Sequence, residues 1–348
     1  MSIFHHLSVK NIVKETANAV SVVFNVPENL KRNFSFIAGQ YITLKTTING
    51  NEIRRAYSIC SSPESGELKV AIKAIENGVF SNYATSQLKV GDVIEVHEPE
   101  GKFTLQPSKC LNYIGFAAGS GITPVLSMIK SVLQQEPTSS FTLIYGNKTV
   151  EETIFKSELD ALRTTYSSRF NLHYVFSRET TEESLHGRID QRITDYFINN
   201  QYKNWTFDSA YLCGPEEMIH TVSSTLLDHN FKESQVFFEL FTVSIDEEVA
   251  SKIKTDESHV TVLLDDEEFS FTMKQSDDLL AASLRNDIDA PYSCQGGVCS
   301  SCLAKVTSGT AIMTKNTILT DQEVNDGFIL TCQAHPTTSN ISIDFDDI

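Results

Sequence analysis

The spacing of apolar and polar residues changes along the chain, and its first stretch predicts an antiparallel β-barrel. Within residues 1–107, short alternating or β-branched runs are separated by turns rich in Gly, Pro, Asn and Ser. Runs of this kind are typical of strands in a closed or nearly closed barrel. The predicted strands are Ala19–Val26, Gln40–Lys45, Leu68–Ile75 and Val93–Val96.

Residues 108–241 follow a different pattern, in which apolar strands alternate with helical segments. This alternation predicts a doubly wound α/β domain with a parallel sheet. The predicted strands are Tyr113–Ala117, Phe141–Tyr145, Leu172–Phe176, Ala210–Cys213 and Val236–Leu240. The predicted helices are Pro124–Gln135, Thr153–Tyr166, Gln191–Asn199 and Glu216–His229.

The C-terminal part begins with residues 242–259, a polar and weakly patterned segment that predicts a linker. Residues 260–348 then predict a small α+β domain. Its predicted elements are the strands Val260–Leu264 and Glu268–Met273, the helix Leu279–Arg285, a cysteine-rich loop and the strand Ile341–Phe345.

Charge limits the choice of partners. The formal net charge of −17 makes nucleic acid a poor expectation. Residues 260–348 carry 14 Asp or Glu against 4 Lys or Arg, a net charge of −10. This acidity is compatible with steering of a basic partner surface and equally with a role in solubility alone.

Location is predicted from two sequence features. The sequence contains no run of about 18 apolar residues, so we expect no membrane span. The N-terminus lacks the basic and apolar regions of a signal peptide. We therefore expect a cytoplasmic protein without a membrane partner, and its seven cysteines, an odd number, argue against a disulfide framework.

The cysteines carry the strongest chemical signal. Cys294, Cys299 and Cys302 follow the spacing C-x4-C-x2-C, and Cys332 comes later in the chain. This is the plant-type [2Fe–2S] spacing, in which one loop supplies three thiolates and a distant residue the fourth. The alternative is a zinc site with four cysteine ligands, which usually consists of two C-x2-C pairs, whereas only one pair is present here.

A glycine-rich turn follows the first predicted strand of the α/β domain. In Gly119-Ser120-Gly121-Ile122-Thr123-Pro124, the glycines allow close approach of a ligand. Proline predicts a helix start, whose N–H groups can bind an anion. The turn does not match G-x-G-x-x-G, so a strand–helix turn without a ligand is the alternative.

Together these motifs resemble the ferredoxin–NADP reductase superfamily fused to a C-terminal plant-type ferredoxin. The resemblance covers essentially the whole chain and is closest to the reductase subunits of phenylacetyl-CoA epoxygenases. It implies a flavin-binding barrel, an NAD(P)-binding α/β domain and a ferredoxin-like β-grasp domain.

Two motifs correspond to the flavin site of this superfamily. The match to Arg55-Ala56-Tyr57-Ser58 implies that Arg55 meets the flavin pyrophosphate, Tyr57 packs on the ring and Ser58 lies near its N5 edge. The match to Gly78-Val79-Phe80-Ser81 implies a flavin phosphate site at a helix start. The alternatives are a solvent-facing Arg and a core Tyr on a barrel strand for the first motif, and a plain serine helix cap for the second.

Two further motifs correspond to the nicotinamide site. The family places the turn containing Gly119, Gly121, Thr123 and Pro124 under the nicotinamide and pyrophosphate, with Thr123 toward the flavin edge. The match to Cys213-Gly214-Pro215 implies that Cys213 lies beside the reactive nicotinamide carbon. A buried structural cysteine is the alternative for Cys213.

Two weaker correspondences complete the site. Ser177 and Arg178 end a predicted strand where some relatives hold the NADP 2′-phosphate, but the downstream Lys-x-Tyr of the family is missing and Gly187-Arg188 stands instead. The resemblance therefore favours NADPH, with NADH as the alternative. Glu239 and Phe241 match a Glu-x-aromatic motif that covers the flavin in simpler reductases, although Phe241 is also readable as a core aromatic. FAD is expected, with FMN as the alternative used by the phthalate dioxygenase reductase type.

The resemblance implies an electron-transfer reductase. NADPH delivers a hydride to FAD, and electrons pass singly through the [2Fe–2S] cluster to a di-iron oxygenase component that epoxidises phenylacetyl-CoA. The implied catalytic residues are Ser58, Thr123, Cys213 and Glu239. The alternatives are a reductase for another oxygenase, hydroxylase or desaturase, and a redox-sensing binding module.

Overall fold

A computed structural model describes residues 4–107, 111–241 and 247–348 of the chain. Cys110 and residues 242–246 of the predicted linker lie outside the described residues. The chain divides into two compact units, Phe4–Leu240 and a second unit that contains Phe241–Ile348. No helix among the described residues is long and apolar enough to cross a membrane.

The first half of the Phe4–Leu240 unit is an antiparallel barrel of six strands with one helix. Its elements are β1 (Phe4–Thr16), β2 (Ala19–Asn25), β3 (Tyr41–Ile48), β4 (Asn51–Ser58), β5 (Leu68–Lys73), α1 (Val79–Ser86) and β6 (Val93–His97). The strand order is β4-β3-β6-β1-β2-β5. An antiparallel bridge between Ile59 and Val70 joins the two edges, because the chain beyond β4 pairs with β5. Fully buried aliphatic residues such as Val22, Ile42 and Val96 fill the interior.

The second half is a parallel six-stranded sheet connected by helices. Its elements are β7 (Asn112–Ala118), α2 (Ile122–Gln135), β8 (Ser140–Asn147), α3 (Lys156–Thr165), β9 (Phe170–Phe176), β10 (Ser184–His186), α4 (Gln191–Asp195), β11 (Ser209–Gly214), α5 (Glu216–Asp228) and β12 (Val236–Leu240). The strand order is β10-β9-β8-β7-β11-β12, and all pairings are parallel. The chain therefore changes direction along the sheet between β7 and β11, which is the topological switch point where ligands of such sheets bind.

Helix α2 joins the two halves. It packs along residues 60–64, which follow the flavin-type motif of β4. Ser127 Oγ donates a hydrogen bond to the Ser61 carbonyl at 2.6 Å. Lys130 Nζ donates to the Cys60 carbonyl at 3.1 Å and forms an ion pair with Glu158 of α3. The barrel and the parallel sheet are thus fastened side by side within one compact unit.

Helix α2 also begins earlier than the sequence predicts. Gly119–Gly121 forms a turn of 3-10 helix that continues directly into α2 at Ile122. Pro124 therefore occupies the third helical position and not the first. Proline is tolerated there because the first-turn N–H groups of a helix have no partner within the helix.

The Phe241–Ile348 unit contains a mixed five-stranded sheet. Its elements are α6 (Glu247–Ala250), β13 (Glu257–Leu264), β14 (Glu267–Lys274), α7 (Leu279–Arg285), β15 (Leu303–Ser308), β16 (Ala311–Met313), α8 (Asp321–Asn325), β17 (Phe328–Leu330), β18 (Ala334–Pro336) and β19 (Asn340–Asp344). The sheet order is β14-β13-β19-β15-β17, and β16 pairs with β18 separately. Helix α6 and the first residues of β13 both lie within the segment 242–259 that was predicted as a linker.

The three predicted fold classes are confirmed. The structure contains an antiparallel barrel, a doubly wound parallel sheet and a small α+β domain in the predicted order. The exact domain boundaries, 1–107, 108–241, 242–259 and 260–348, stay predictions.

Candidate functional site

Strand β4 ends with the candidate flavin residues. Pairing with β3 sets Tyr57 opposite Ile42, and the Tyr57 ring centroid lies 5.6 Å from that of Phe80. Burial raises the pKa of Tyr57, and the Arg55 charge opposes this only partly. The phenol is therefore neutral, and its flat ring can pack against an aromatic ligand.

Two neighbouring arginines of β4 have different surroundings. Arg54 is buried, forms an ion pair with Glu52 at 2.8 Å and lies over the Phe4 ring. Arg55 is half-buried and donates to the Arg54 carbonyl at 2.6 Å. Because successive side chains alternate across a strand, Arg55 and Tyr57 share one face of β4. This face can present a guanidinium and an aromatic ring to the same ligand.

The second flavin-type motif forms the start of α1, as predicted. Gly78 caps the helix, and a Cβ at this position would overlap the Ser81 hydroxyl and Ile75. Ser81 Oγ accepts the Ile75 N–H at 3.3 Å. Phe80 is buried in the barrel core, so only its backbone can face a cofactor, while the Val79 side chain is exposed. The site offers N–H groups at a helix N-terminus, which suit a phosphate.

The glycine turn after β7 lies directly against the motif after β11. A Cβ on Gly121 would overlap the Cys213 carbonyl, so no other residue fits there without a backbone shift. Gly119 has a left-handed backbone, with φ +55°. Thr123 is buried, and its Oγ1 donates to the Ser120 carbonyl at 3.0 Å. The turn is therefore held in one conformation by its own hydroxyl.

Lys73 lies beside this turn and was missed by the sequence analysis. A Cβ on Gly119 would lie 3.9 Å from Lys73 Nζ, although Lys73 belongs to strand β5 of the barrel. Burial lowers the pKa of Lys73, while the Glu152 charge opposes the shift. No motif marks this lysine, because only the packing of barrel against sheet brings it to the turn.

Cys213 is completely buried at the carboxyl end of β11. It pairs with Ala117 of β7 on one side and with Glu239 of β12 on the other. Burial, followed by the Glu239 charge, raises its pKa well above the ordinary value. Cys213 is therefore a neutral thiol. Gly214 beside it is closely packed, since a Cβ there would press on the terminal methyl group of Met218.

A hydrogen bond connects the two halves of the site. Ser58 Oγ donates to Glu239 Oε2 at 3.2 Å, linking the end of β4 to β12. Glu239 lies opposite Cys213 in the pairing of β11 with β12. The Cys213 carbonyl lies against Gly121, which precedes Thr123 by two residues. The four predicted catalytic residues therefore lie around the switch point between β7 and β11. Pro215 ends the group as the N-cap of α5.

Ser177 and Arg178 extend the same edge of the sheet. Their N–H groups donate to the carbonyls of Asn147 and Lys148, at 3.0 and 2.9 Å. The Gly187 N–H donates to the Phe176 carbonyl, so the segment that carries the exposed Arg188 pairs with the strand that precedes the exposed Arg178. Two guanidinium groups on neighbouring strand ends can bind a phosphate.

Asn147 supplies an unused donor at this edge. Its buried Nδ2 atom lies near the Tyr145 hydroxyl but has no partner of good hydrogen-bond geometry among the described residues. A buried unpaired amide is costly, so it indicates a missing acceptor. This supports a nucleotide at the carboxyl edge of the sheet.

A cleft elsewhere in the parallel-sheet half contains none of the predicted site residues. It is lined by Asp190, Gln191, Arg192, Asp195, Tyr196, Asn199, Asn200 and Thr221. These residues show no convergence of titratable or anion-binding groups comparable with the switch point.

The four predicted cluster ligands come together in the Phe241–Ile348 unit. Pairing of β15 with β17 sets Leu303 opposite Leu330. Cys302 directly precedes Leu303 and Cys332 follows Leu330 by two residues, so both cysteines lie at the same end of this strand pair. The Sγ atoms of Cys294 and Cys299 are 3.0 Å apart, and the Cys332 thiol contacts those of Cys294 and Cys302. The contact with Cys294, followed by burial, raises the pKa of Cys299.

This donor set fits a [2Fe–2S] cluster. Crowded buried thiols become stable thiolates when a metal supplies positive charge. Among the described residues, no three His, Cys, Asp or Glu side chains are grouped to hold a single ion. A [2Fe–2S] cluster does not require such a group, because each of its irons takes two of the four thiolates.

The cysteine loop uses two left-handed residues. Gln295 has φ +54° and Gly297 has φ +72°, whereas Gly296 does not need this region. The Gly296 N–H donates to Cys294 Sγ at 3.3 Å, as expected for a loop that points N–H groups at sulfur. Phe241 also belongs to this unit, and its predicted packing on the flavin stays a prediction.

Three family models match the chain in the order of these structures. They are an oxidoreductase FAD-binding domain at residues 6–105, an oxidoreductase NAD-binding domain at 116–224 and a 2Fe-2S iron-sulfur cluster binding domain at 262–337. The first two fall on the barrel and the parallel sheet, and the third falls on the unit with the four cysteines.

Relatives of full length are also found. A 1,2-phenylacetyl-CoA epoxidase subunit of Escherichia coli K12 is 39% identical over 355 residues, covering 99% of each chain. The ferredoxin reductase component of the 3-ketosteroid-9-alpha-monooxygenase of Rhodococcus rhodochrous is 33% identical, covering 97% of this chain and 96% of its own. The structure of phthalate dioxygenase reductase covers 98% of each chain with a TM-score of 0.68 and 23% identity, which shows a shared fold.

Proposed function

Because this chain belongs to the family of reductase components that join FAD-, NAD- and [2Fe–2S]-binding domains, we propose that its electron acceptor is a di-iron oxygenase component acting on phenylacetyl-CoA. The chain is an oxidoreductase with these three cofactor sites. Full-length identity of 39% to an epoxidase subunit supports the choice of acceptor. A cytoplasmic location stays a prediction of the sequence.

One observation carries the assignment of the hydride-transfer site. The hydrogen bond from Ser58 to Glu239 fastens the flavin-type strand to the switch point of the nucleotide-type sheet. When bound, FAD accepts an electron pair as hydride from the nicotinamide, and the one-electron [2Fe–2S] cluster takes these electrons singly. The protein's task is to hold the two binding sites in register.

Each residue of the site receives a proposed role. Ser58 and Thr123 place hydroxyl groups at the contact between flavin and nicotinamide. Cys213 provides a small, neutral and polarisable wall beside the nicotinamide, and Glu239 fixes Ser58. Gly121 allows this wall to approach the turn, because a side chain there would displace the Cys213 carbonyl.

The cofactors are proposed to bind on two sides of this contact. Tyr57 supports the flavin ring, while Arg55, Ala56 and the α1 start at Gly78–Ser81 hold its phosphates. Gly119, Gly121 and Pro124 of the turn, with Gly214 and Pro215 opposite, line the nucleotide path. Cys294, Cys299, Cys302 and Cys332 hold the cluster, in agreement with their converging thiols.

The preferred nucleotide is proposed to be NADPH. Ser177 and Arg178 offer a hydroxyl and a forked cation for the 2′-phosphate, and the exposed Arg188 follows Gly187, whose N–H pairs with the end of the same strand. Replacing Arg178 by Ala should raise the KM for NADPH about tenfold, as expected for a lost charged hydrogen bond, and leave the KM for NADH unchanged. Equal effects on both nucleotides would contradict the assignment.

The reductase activity is tested by anaerobic titration of the purified chain with NADPH and with NADH. Loss of both the flavin and the [2Fe–2S] absorbance is expected, at lower concentrations of NADPH than of NADH. A flavin that neither nucleotide bleaches would contradict the placement of the hydride-transfer site.

The acceptor is tested separately with the reduced chain. The reduced chain should support phenylacetyl-CoA epoxidation by its oxygenase component. It should support turnover of a ketosteroid oxygenase component at a lower rate. The opposite preference would favour the second candidate, a reductase for a steroid-type monooxygenase, which the 33% identical relative brings into consideration.

A further inference from the structure

Gln333 directly follows the fourth cysteine, and its side-chain amide is held in one orientation. Its Oε1 accepts a hydrogen bond from Thr314 Oγ1 at 3.1 Å. Its Nε2 donates to the Cys332 carbonyl at 2.7 Å and to the Gln295 carbonyl at 3.1 Å. Exchanging oxygen and nitrogen would set the amide oxygen against both carbonyls, so the network fixes the orientation. The residue is only 8% exposed, which limits competition from water.

The same nitrogen approaches one candidate ligand directly. Gln333 Nε2 lies 3.8 Å from Cys332 Sγ. The amide has two hydrogens, so the one directed at Cys332 is shared between the carbonyl and the Sγ atom of that residue. An amide donor near a ligand sulfur stabilises negative charge on that sulfur.

Gln333 also acts on a second sulfur through a peptide group. A trans peptide is planar, so its C=O and N–H point in opposite directions. The carbonyl of Gln295 points to Gln333 Nε2, and the N–H of the same peptide, on Gly296, points to Cys294 Sγ at 3.3 Å. By holding the carbonyl, Gln333 keeps the N–H directed at the second sulfur. Gln295 has φ +54°, which a side chain rarely adopts without support.

We propose that Gln333 is a positioning residue that raises the reduction potential of the [2Fe–2S] cluster through the sulfur atoms of Cys332 and Cys294. Reduction adds one negative charge, and N–H donors to the ligand sulfurs favour the form that carries it. The inference rests on the proposed assignment of Cys294, Cys299, Cys302 and Cys332 as ligands.

A matched pair of variants tests this role. Gln333→Met keeps a side chain of similar length but removes both donors, so the midpoint potential of the cluster should shift to more negative values. Its reduced EPR spectrum should change as well. Thr314→Val removes the hydroxyl that contacts the same amide, yet leaves both donors in place. Its potential and spectrum should match those of the wild type.

A second variant covers the case in which Gln333→Met takes up no cluster. Gln333→Asn keeps an amide near Cys332 but is too short to hold the Gln295 carbonyl, so a smaller negative shift is expected. A cluster-loaded Met or Asn variant with the wild-type potential would overturn the proposal.

A measurement with Gln333 itself unchanged decides the matter independently. The holoprotein is labelled with 15N in its glutamine side chains and carries Gln295→Asn, which removes the other glutamine of the loop. Pulsed EPR of the reduced protein should show coupling to a side-chain 15N, and absence of coupling would overturn the proposal. A chain that shows no cluster absorbance at all would instead contradict the ligand assignment, and the inference with it.

Discussion

Ser58 and Glu239 are the two residues whose contact closes the candidate hydride-transfer site. We expect Ser58→Ala and Glu239→Ala each to slow flavin reduction at saturating NADPH by about 10- to 100-fold, the range of one lost hydrogen bond to a charged group. Stopped-flow absorbance measures this rate. The double variant should be little slower than either single variant, because both remove the same bond. Additive losses would show that the residues act separately.

Replacing Lys73 should affect stability and nucleotide binding in opposite ways. Its lowered pKa means that folding disfavours the protonated amine, so this penalty is present where Lys73 is charged and is relieved as pH rises. Lys73→Met should therefore leave the thermal midpoint unchanged or raised, while the KM for NADPH rises about tenfold through loss of a cation beside Gly119. The exposed Lys14→Met serves as the control. A KM equal to that of the control would contradict a role in nucleotide binding.

His173 predicts an acid-dependent loss of stability. Burial, assisted by the Arg163 charge, lowers its pKa from 6.5 to about 4, and its Nε2 lies 2.6 Å from the Tyr202 hydroxyl. The unfolded chain therefore binds more protons between these two values, so stability falls as pH drops through this window. The loss amounts to about 3 kcal/mol at most.

The variant His173→Gln isolates this effect, because Gln stays neutral and can still meet Tyr202. Urea unfolding at pH 7 and pH 5 should show a smaller difference for the variant than for the wild type. The same difference in both proteins would assign the acid sensitivity to other groups.

At the residue scale, sequence spacing was enough for some sites and not for others. The cysteine spacing predicted four residues that the fold indeed brings together, because three share one loop. Lys73 and Gln333 carry no such signal. Lys73 lies near Gly119, and Gln333 binds Gln295, only because of tertiary packing. The spacing of residues along the sequence gives no information on such packing.

At the scale of elements, α2 positions the glycine turn after β7 relative to the end of β4. Lys130 is nearly buried on this helix, and its ammonium serves both the Cys60 carbonyl and Glu158. Lys130→Met should lower the free energy of unfolding by about 1–3 kcal/mol, because a buried carbonyl loses its donor and Glu158 loses its partner. Urea unfolding measures this.

The matched control for this helix is Lys156→Met on α3. Lys156 forms a more exposed ion pair with Asp160 at 2.6 Å, and such pairs contribute less than about 1 kcal/mol. Similar losses for the two variants would contradict the importance of the α2 contact.

Several elements escaped prediction for identifiable reasons. Strand β1 carries register shifts after Val9 and Lys14, which break the alternation that marks a strand. The segment predicted as the helix Gln191–Asn199 changes to π-helix at Tyr196, which alters its period. Helix α3 begins only at Lys156 because Phe155 before it is left-handed, with φ +60°. Five of the six strands of the parallel sheet, in contrast, were predicted from their mostly apolar runs, whereas the short and polar β10 was not.

At the scale of the whole molecule, the distribution of charge predicts how electron transfer to the acceptor depends on ionic strength. Residues 260–348 have a net charge of −10, and Glu267 and Glu268 lie exposed in this unit. We expect reduction of the oxygenase component to slow about tenfold between low and high ionic strength, because salt screens attraction to a basic partner surface. Steady-state turnover at several salt concentrations measures this.

Two further measurements separate steering from general salt effects. The Glu267→Gln, Glu268→Gln double variant should show a flatter dependence on salt. Flavin reduction by NADPH should be the same in the variant and the wild type. Turnover that is independent of ionic strength would instead favour a role of the acidic residues in solubility.

The hydrogen bond between Ser58 and Glu239 spans 181 positions of sequence and therefore also orders events during synthesis. Strand β4 leaves the ribosome long before β12, so the nascent barrel can fold while the hydride-transfer site is still open. The site closes only after Leu240 has emerged from the exit tunnel.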